Sequence, residues 1–187
     1  MTLTKAQAAA TRKLFLWDEI NSFISQIFQF SKSAKEAESE FEDYLIDAYI
    51  EGFAGANYML GGEEAPDAAA LYASLNKTYD GESIFEKFTA YYTAGDAENI
   101  KRLIESEFHR MNEQGAYDAA ANFPSAKKRW SAILDGKTRL THDILDGTTV
   151  NVGEKFYSIS GDSALFPGGF ESAAENANCR CMIEYLA

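Results

Sequence analysis

Helical periodicity runs along this chain as far as Phe123-Pro124 and then stops, and that break is what most limits the folds open to it. Before it, apolar residues recur at three- and four-residue steps. Leu16 or Trp17, Ile20, Phe23 or Ile24, and Ile27 or Phe28 do so in residues 5–30; Phe41, Tyr44, Leu45, Ala48 and Tyr49 begin a second helix that reaches about Met59. Ile84, Phe85, Phe88 and Tyr91 follow a cap at Asp80 or Ser83, and Ile100, Leu103, Ile104, Phe108 and Met111 follow a cap at Asp96 in a long helix to about Ala121. That spacing marks one face of an α-helix. Beyond the break, residues 148–152, 155–160 and 181–186 are β-prone and separated by Gly and Pro. The pattern predicts an α+β fold, a helical N-terminal two-thirds followed by a small antiparallel β-sheet. It divides into a helical region over 1–95 and a long helix plus sheet over 96–187. The strand at 178–185 is expected at the centre of that sheet, with Trp130, carried by a short helix opened by Pro124, buried against it.

Two features of the helical part bear on partners. The first helix carries Phe15, Trp17, Phe23, Phe28 and Phe30, more aromatic surface than one packing face needs, so these five are candidate anchors for another subunit, Trp17 first among them. Charge is also uneven: residues 1–124 hold 10 basic and 21 acidic side chains, whereas residues 125–187 hold 7 and 8. An acidic surface steers toward basic protein partners and away from phosphate, so strong nucleic-acid binding is not expected. The local basic run Lys127-Lys128-Arg129 reads as a solvated helix end. No apolar run approaches the length of a membrane span, and Met1-Thr-Leu-Thr-Lys lacks a signal-peptide layout, which predicts synthesis in the cytoplasm. Gly52 and Gly55 within the second helix each cost about 1 kcal/mol relative to Ala and suggest close approach of a neighbouring backbone.

The residues able to do chemistry sit near the C-terminal end. Cys179 and Cys181 alternate along a β-prone stretch, so both face one side together with Ile183 and Tyr185. Core packing is the expected use of these sulfurs, ahead of a metal site completed by His142 or a redox pair, because Cys-x-Cys is not the usual zinc clip. The purified protein is accordingly expected without stoichiometric zinc. His142 follows Arg139 by three residues, and the pair is expected to meet the carboxylate of Asp135, Glu105 or Glu107 in a polar cluster joining the long helix to the sheet. No nucleophile elbow or phosphate-cradling glycine loop is present, so neither a catalytic residue nor a cofactor is assigned.

In order along the chain come Glu105, Glu107, His109-Arg110, Asn112 and Gly115, then Trp130, Asp135, Thr138-Arg139, His142, a turn at Gly147, Phe156, Pro167-Gly168 and Asn178-Cys179-Arg180-Cys181. This series resembles the Mu F-like minor head (head morphogenesis) proteins of tailed bacteriophages over roughly residues 98–186. Lys137 stands where that family commonly has Arg, which keeps the charge without the planar donor fork. Glu107 stands where it often has Thr. The resemblance implies a non-enzymatic virion component of the capsid interior that associates with the portal and other head proteins, is able to form a homo-oligomer, and aids head morphogenesis or DNA packaging and delivery. An alternative is a phage-borne toxin or ADP-ribosyltransferase, since Phe156-Tyr-Ser158-Ile-Ser160 is faintly similar to the Ser-x-Ser strand of such enzymes; their Glu-x-Glu is absent from the C-terminal strand.

Overall fold

The computed structural model describes residues 18, 20–79, 81–134 and 136–187. Phe15, Trp17, Asp80 and Asp135 lie outside the described residues. A first helix, α1, includes residues 20–27 and buries Ile20, Phe23, Ile24 and Ile27. Helix α2 (Ala34–Leu60) starts well before Phe41, within a polar stretch. Ser33 and Glu36 form a reciprocal capping box there, satisfying two backbone donors that helix ends otherwise leave open. Gly61 ends it in the left-handed conformation.

After α3 (Ala68–Leu75), the short ladder β1 (Thr78–Tyr79) and β2 (Glu82–Ser83) leads into α4 (Ile84–Ala94), whose capping box uses Ser83 and Glu86. Helix α4 runs antiparallel to α2, with Phe88 stacked on Phe41 at 4.6 Å and the Tyr92 hydroxyl donating to Lys32 O at 3.0 Å. Helix α5 (Ala97–Ala120) then runs in the same direction as α2. Tyr44 meets Phe108 at 4.8 Å near one end, and Gly62 meets Phe123 at the other.

This helical layer carries a small antiparallel sheet, so the α+β architecture is as the periodicity predicted; two of the expected strands, within 148–152 and 181–186, lie in it, but its central strand is a different one. Residues 127–131 form strand β3 rather than the end of a helix. It is the central strand, flanked by β4 (Thr149–Asn151) and β7 (Met182–Leu186), so the C-terminal strand is an edge and not the centre. The reason lies in alternation: Lys127 and Arg129 face solvent while Lys128 and Trp130 face inward, a period of two that the high Lys/Arg content disguised. Residues 155–160 supply only β5 (Phe156–Tyr157), paired with β6 (Ser163–Ala164) in a separate ladder. Trp130 is fully buried, as expected.

The basic run is therefore not a solvated helix end. Arg129 is paired across the sheet with Glu184, and Lys128 is buried. The Lys128 ammonium donates to Leu165 O at 2.7 Å and lies over the rings of Tyr117 and Phe156 at 4.9 and 5.2 Å. Burial pulls its pKa from the ordinary 10.5 down to about 8, against a weak upward pull from Glu154. Because the unfolded chain holds this proton up to its ordinary value while the folded chain releases it near 8, the unfolded state binds more protons in that window. Stability should rise with pH there. Wild-type stability measured by urea unfolding is thus expected to gain on a Lys128→Met variant between pH 8 and 10.5, by up to about 3 kcal/mol. Parallel curves for the two proteins would show that Lys128 is charged and paid for at all pH values.

Candidate functional site

The residues of the family-like series fall into two groups around α5 and the sheet. The first is the seam between α2 and α5. Gly115 lies against the backbone of Tyr49, and Gly52 against the backbone of Asn112, so the two helices touch through glycines at reciprocal positions. Asn112, 1% exposed, donates from Nδ2 to Ala48 O at 3.0 Å, satisfying a carbonyl in the middle of α2. Two residues earlier, the Arg110 guanidinium donates through Nε to Glu107 at 2.7 Å and through Nη2 to Ser74 O at 3.0 Å. The loop at Gly168, with φ of 85°, packs on Arg110. Glu113, which carried no sequence signal, accepts the Ile183 backbone N–H at 3.2 Å and so ties the edge strand β7 to α5. Glu105 is half-buried instead, near Lys101 at 3.9 Å, and His109 is half-buried on the same helix.

The second group surrounds His142. One-turn helix α6 (Leu140–Asp143) presents His142, one-turn helix α7 (Ala173–Asn176) presents Glu175, and the approach to β7 presents Cys179 and Cys181. Asn178 takes a φ of 53°, a left-handed conformation that Asn tolerates, and turns the chain so that both thiols point one way. The two sulfurs lie 3.5 and 3.4 Å from His142 Nδ1. Trp130 meets the imidazole edge-on at 5.4 Å and Phe170 stacks on it at 5.5 Å, fixing the ring. Arg139 does not join this cluster; its guanidinium donates to the carbonyls of Ala174 and Ala177 and holds α7 in place. Thr138 donates to Ile133 O, and Gly147, at φ 75°, turns the chain back to β3, where its N–H donates to Trp130 O at 2.9 Å. Arg180 is half-buried between the two cysteines.

The carboxylate facing His142 is therefore Glu175, not Glu105 or Glu107. Its Oε2 lies 3.1 Å from His142 Nε2, in a contact too bent for a full hydrogen bond, and also accepts from Thr141 at 2.8 Å; Oε1 accepts from Ser158 at 3.2 Å. Burial pushes the Glu175 pKa up, but hydrogen bonds from Ser160, Thr141 and Ser158, with the nearby imidazole, outweigh it and hold the carboxyl below its ordinary range. The two thiols are shifted in opposite directions. Hydrogen bonding from Cys179 favours the Cys181 thiolate, as do His142 and Trp130, whereas donation to Cys181 and burial push Cys179 up. A cleft of about 230 Å³ opens beside this group, lined in part by Lys137, Thr138 and Arg139.

Among the proposed anchors, Phe23 corrects the expectation: it is a core residue, stacked on Tyr44 at 4.3 Å. Phe28 is partly buried, and Phe30 is 38% exposed beside Tyr92. Other exposed large apolar residues lie on both parts, Ile50, Tyr58 and Tyr72 on the helices and Leu134, Leu140, Ile144, Tyr157 and Ile159 in the β part. Among the described residues, no helix is long and apolar enough to cross a membrane.

Two proteins of known name resemble part of the chain. "Minor head protein GP7" of Bacillus phage SPP1 is 38% identical over 84 residues, which is 43% of this chain and 27% of that protein. The "NAD(+)--arginine ADP-ribosyltransferase EFV" of Enterococcus faecalis is 40% identical over 83 residues, 44% of this chain but 17% of the enzyme. The match thus spans under a third of either relative. No solved structure matches the chain. The family model described as Phage Mu protein F like protein matches residues 69–184, well over half of the chain, and the chain belongs to that family.

Proposed function

We propose that this protein is a structural minor head component of a tailed phage, associating with the portal and the capsid interior and aiding head assembly or DNA packaging and delivery. The observation that carries this reading is how the family-like residues are used. Asn112, Gly115, Glu107 and Arg110 are buried in contacts that join α5 to its neighbours, a use that serves a scaffold and requires no turnover. The transferase alternative draws on the second relative's name, but Ser158 is buried and hydrogen-bonded to Glu175, which leaves it poorly placed to meet a dinucleotide.

The contact surface was expected on the acidic helical part, where Asp43 and Asp47 are exposed on α2; the exposed apolar residues of the β part, Leu140 and Ile144 among them, now compete with it. The test is affinity purification of the tagged full-length chain from infected cells, with mass spectrometry of what accompanies it. Portal and capsid proteins are expected. Their loss with Asp43→Lys and Asp47→Lys would assign the contact to the helical part, and their loss with Ile144→Asp would assign it to the β part. Recovery of no head protein, together with NAD consumption by the wild-type chain, would overturn the structural role.

A further inference from the structure

We propose that His142, Cys179 and Cys181 form a three-ligand site for a zinc-class divalent cation, with the fourth coordination position open to the adjacent cleft. This departs from the expectation that the cysteines serve packing alone. Two stretches nearly forty residues apart in sequence bring one imidazole nitrogen and two sulfurs together, each from a buried residue, with the three donor atoms within 4.8 Å of one another. The Sγ to Nδ1 distances are 3.5 and 3.4 Å. A tetrahedral zinc ion with Zn–N near 2.0–2.1 Å and Zn–S near 2.3 Å separates its nitrogen and sulfur ligands by about 3.5 Å. Nδ1 has a single in-plane lone pair and accepts from one thiol at a time, so hydrogen bonding alone links the three atoms only as a chain through the two sulfurs. A cation placed among the three atoms satisfies all of them.

The surroundings fit the same reading. With Nδ1 directed at the sulfurs, Nε2 is left facing the Glu175 carboxylate at 3.1 Å, where a small turn of that carboxylate would complete the carboxylate–imidazole hydrogen bond that orients ligating histidines. Thr141 and Ser158 hold that carboxylate, while Trp130 and Phe170 hold the ring. Two thiolates balance the charge of a divalent ion, and soft sulfur with imidazole selects zinc over magnesium or calcium. Uptake of the ion releases the two thiol protons to solvent and involves no change of oxidation state. Among the described residues this group offers three ligands, so water from the cleft completes the tetrahedron.

The test uses the full-length chain, purified under reducing conditions and assayed for zinc, then stripped with a chelator and titrated with zinc and with cobalt. About one metal ion per chain is expected, with thiolate-to-cobalt charge-transfer absorption and the visible bands of a tetrahedral cobalt centre. Cys179→Ser and Cys181→Ser are each expected to abolish both signals. Because those variants can also unfold, Glu175→Gln, which keeps every ligand, provides a second reading: metal affinity is expected to fall about 10- to 100-fold with the circular dichroism spectrum unchanged. No uptake of either ion by the reduced wild-type chain overturns the site. So does stoichiometric metal retained in both folded cysteine variants.

Discussion

Replacing Gly115 with alanine is expected to destabilise the protein by about 2–3 kcal/mol, although alanine is the better helix former. A Cβ at this position would stand 2.9 Å from the carbonyl carbon of Tyr49 and closer still to its oxygen. The obstacle is backbone, which cannot rotate away as a side chain can. Relief requires α2 and α5 to separate, and separation lengthens the hydrogen bond from Asn112 to Ala48 O and loosens the Tyr44–Phe108 contact along the same seam. Gly52→Ala should cost a similar amount, since its added carbon would meet the carbonyl carbon of Asn112 at 2.8 Å. Alanine at both positions should lose less than the sum, because one movement of the helices accommodates both. Urea unfolding of the single and double variants checks this; a Gly115→Ala protein as stable as wild type would mean that the helices are not held at this distance.

Gly52 illustrates what could be read from sequence and what could not. A glycine inside a strongly periodic helix is locally unfavourable, and that conflict announced a close backbone neighbour; it could not say that the neighbour is Asn112 of α5, about sixty residues on. Helices α2, α4 and α5, and the caps at Ser83 and Asp96, were legible because their signals are local. Strand β3 was not, because buried Lys128 looks in sequence like a solvated cation and only its position opposite Tyr185 gives it an inward side. The site followed the same rule. The one-sidedness of Cys179 and Cys181 was evident from period-two spacing. Their convergence on a single His142 nitrogen, and the choice of Glu175 over Glu105 and Glu107, depend on two one-turn helices whose positions are fixed by tertiary contacts such as Arg139 with the carbonyls of Ala174 and Ala177.

Removing Arg110 alone is expected to be the most damaging single change in the polar core, on the order of 3–5 kcal/mol. The side chains of Arg110 and Glu107 are 3% and 5% exposed, so Arg110→Met leaves a carboxylate in a site that water does not reach and also leaves Ser74 O without its donor. Desolvation of that carboxylate, left with the Tyr79 hydroxyl and the more distant charge of Lys77, suffices for this result. If that is the cause, the loss belongs to the orphaned partner rather than to the missing attraction, and deleting Glu107 as well should restore much of it. The double variant Glu107→Met, Arg110→Met is therefore expected to be more stable than Arg110→Met by about 2 kcal/mol or more. The two single variants, the double variant and wild type, unfolded in urea, form a closed cycle that isolates the pair. A double variant no better than Arg110→Met would show that the guanidinium acts mainly by packing under Gly168 and bridging to α3, not by neutralising Glu107.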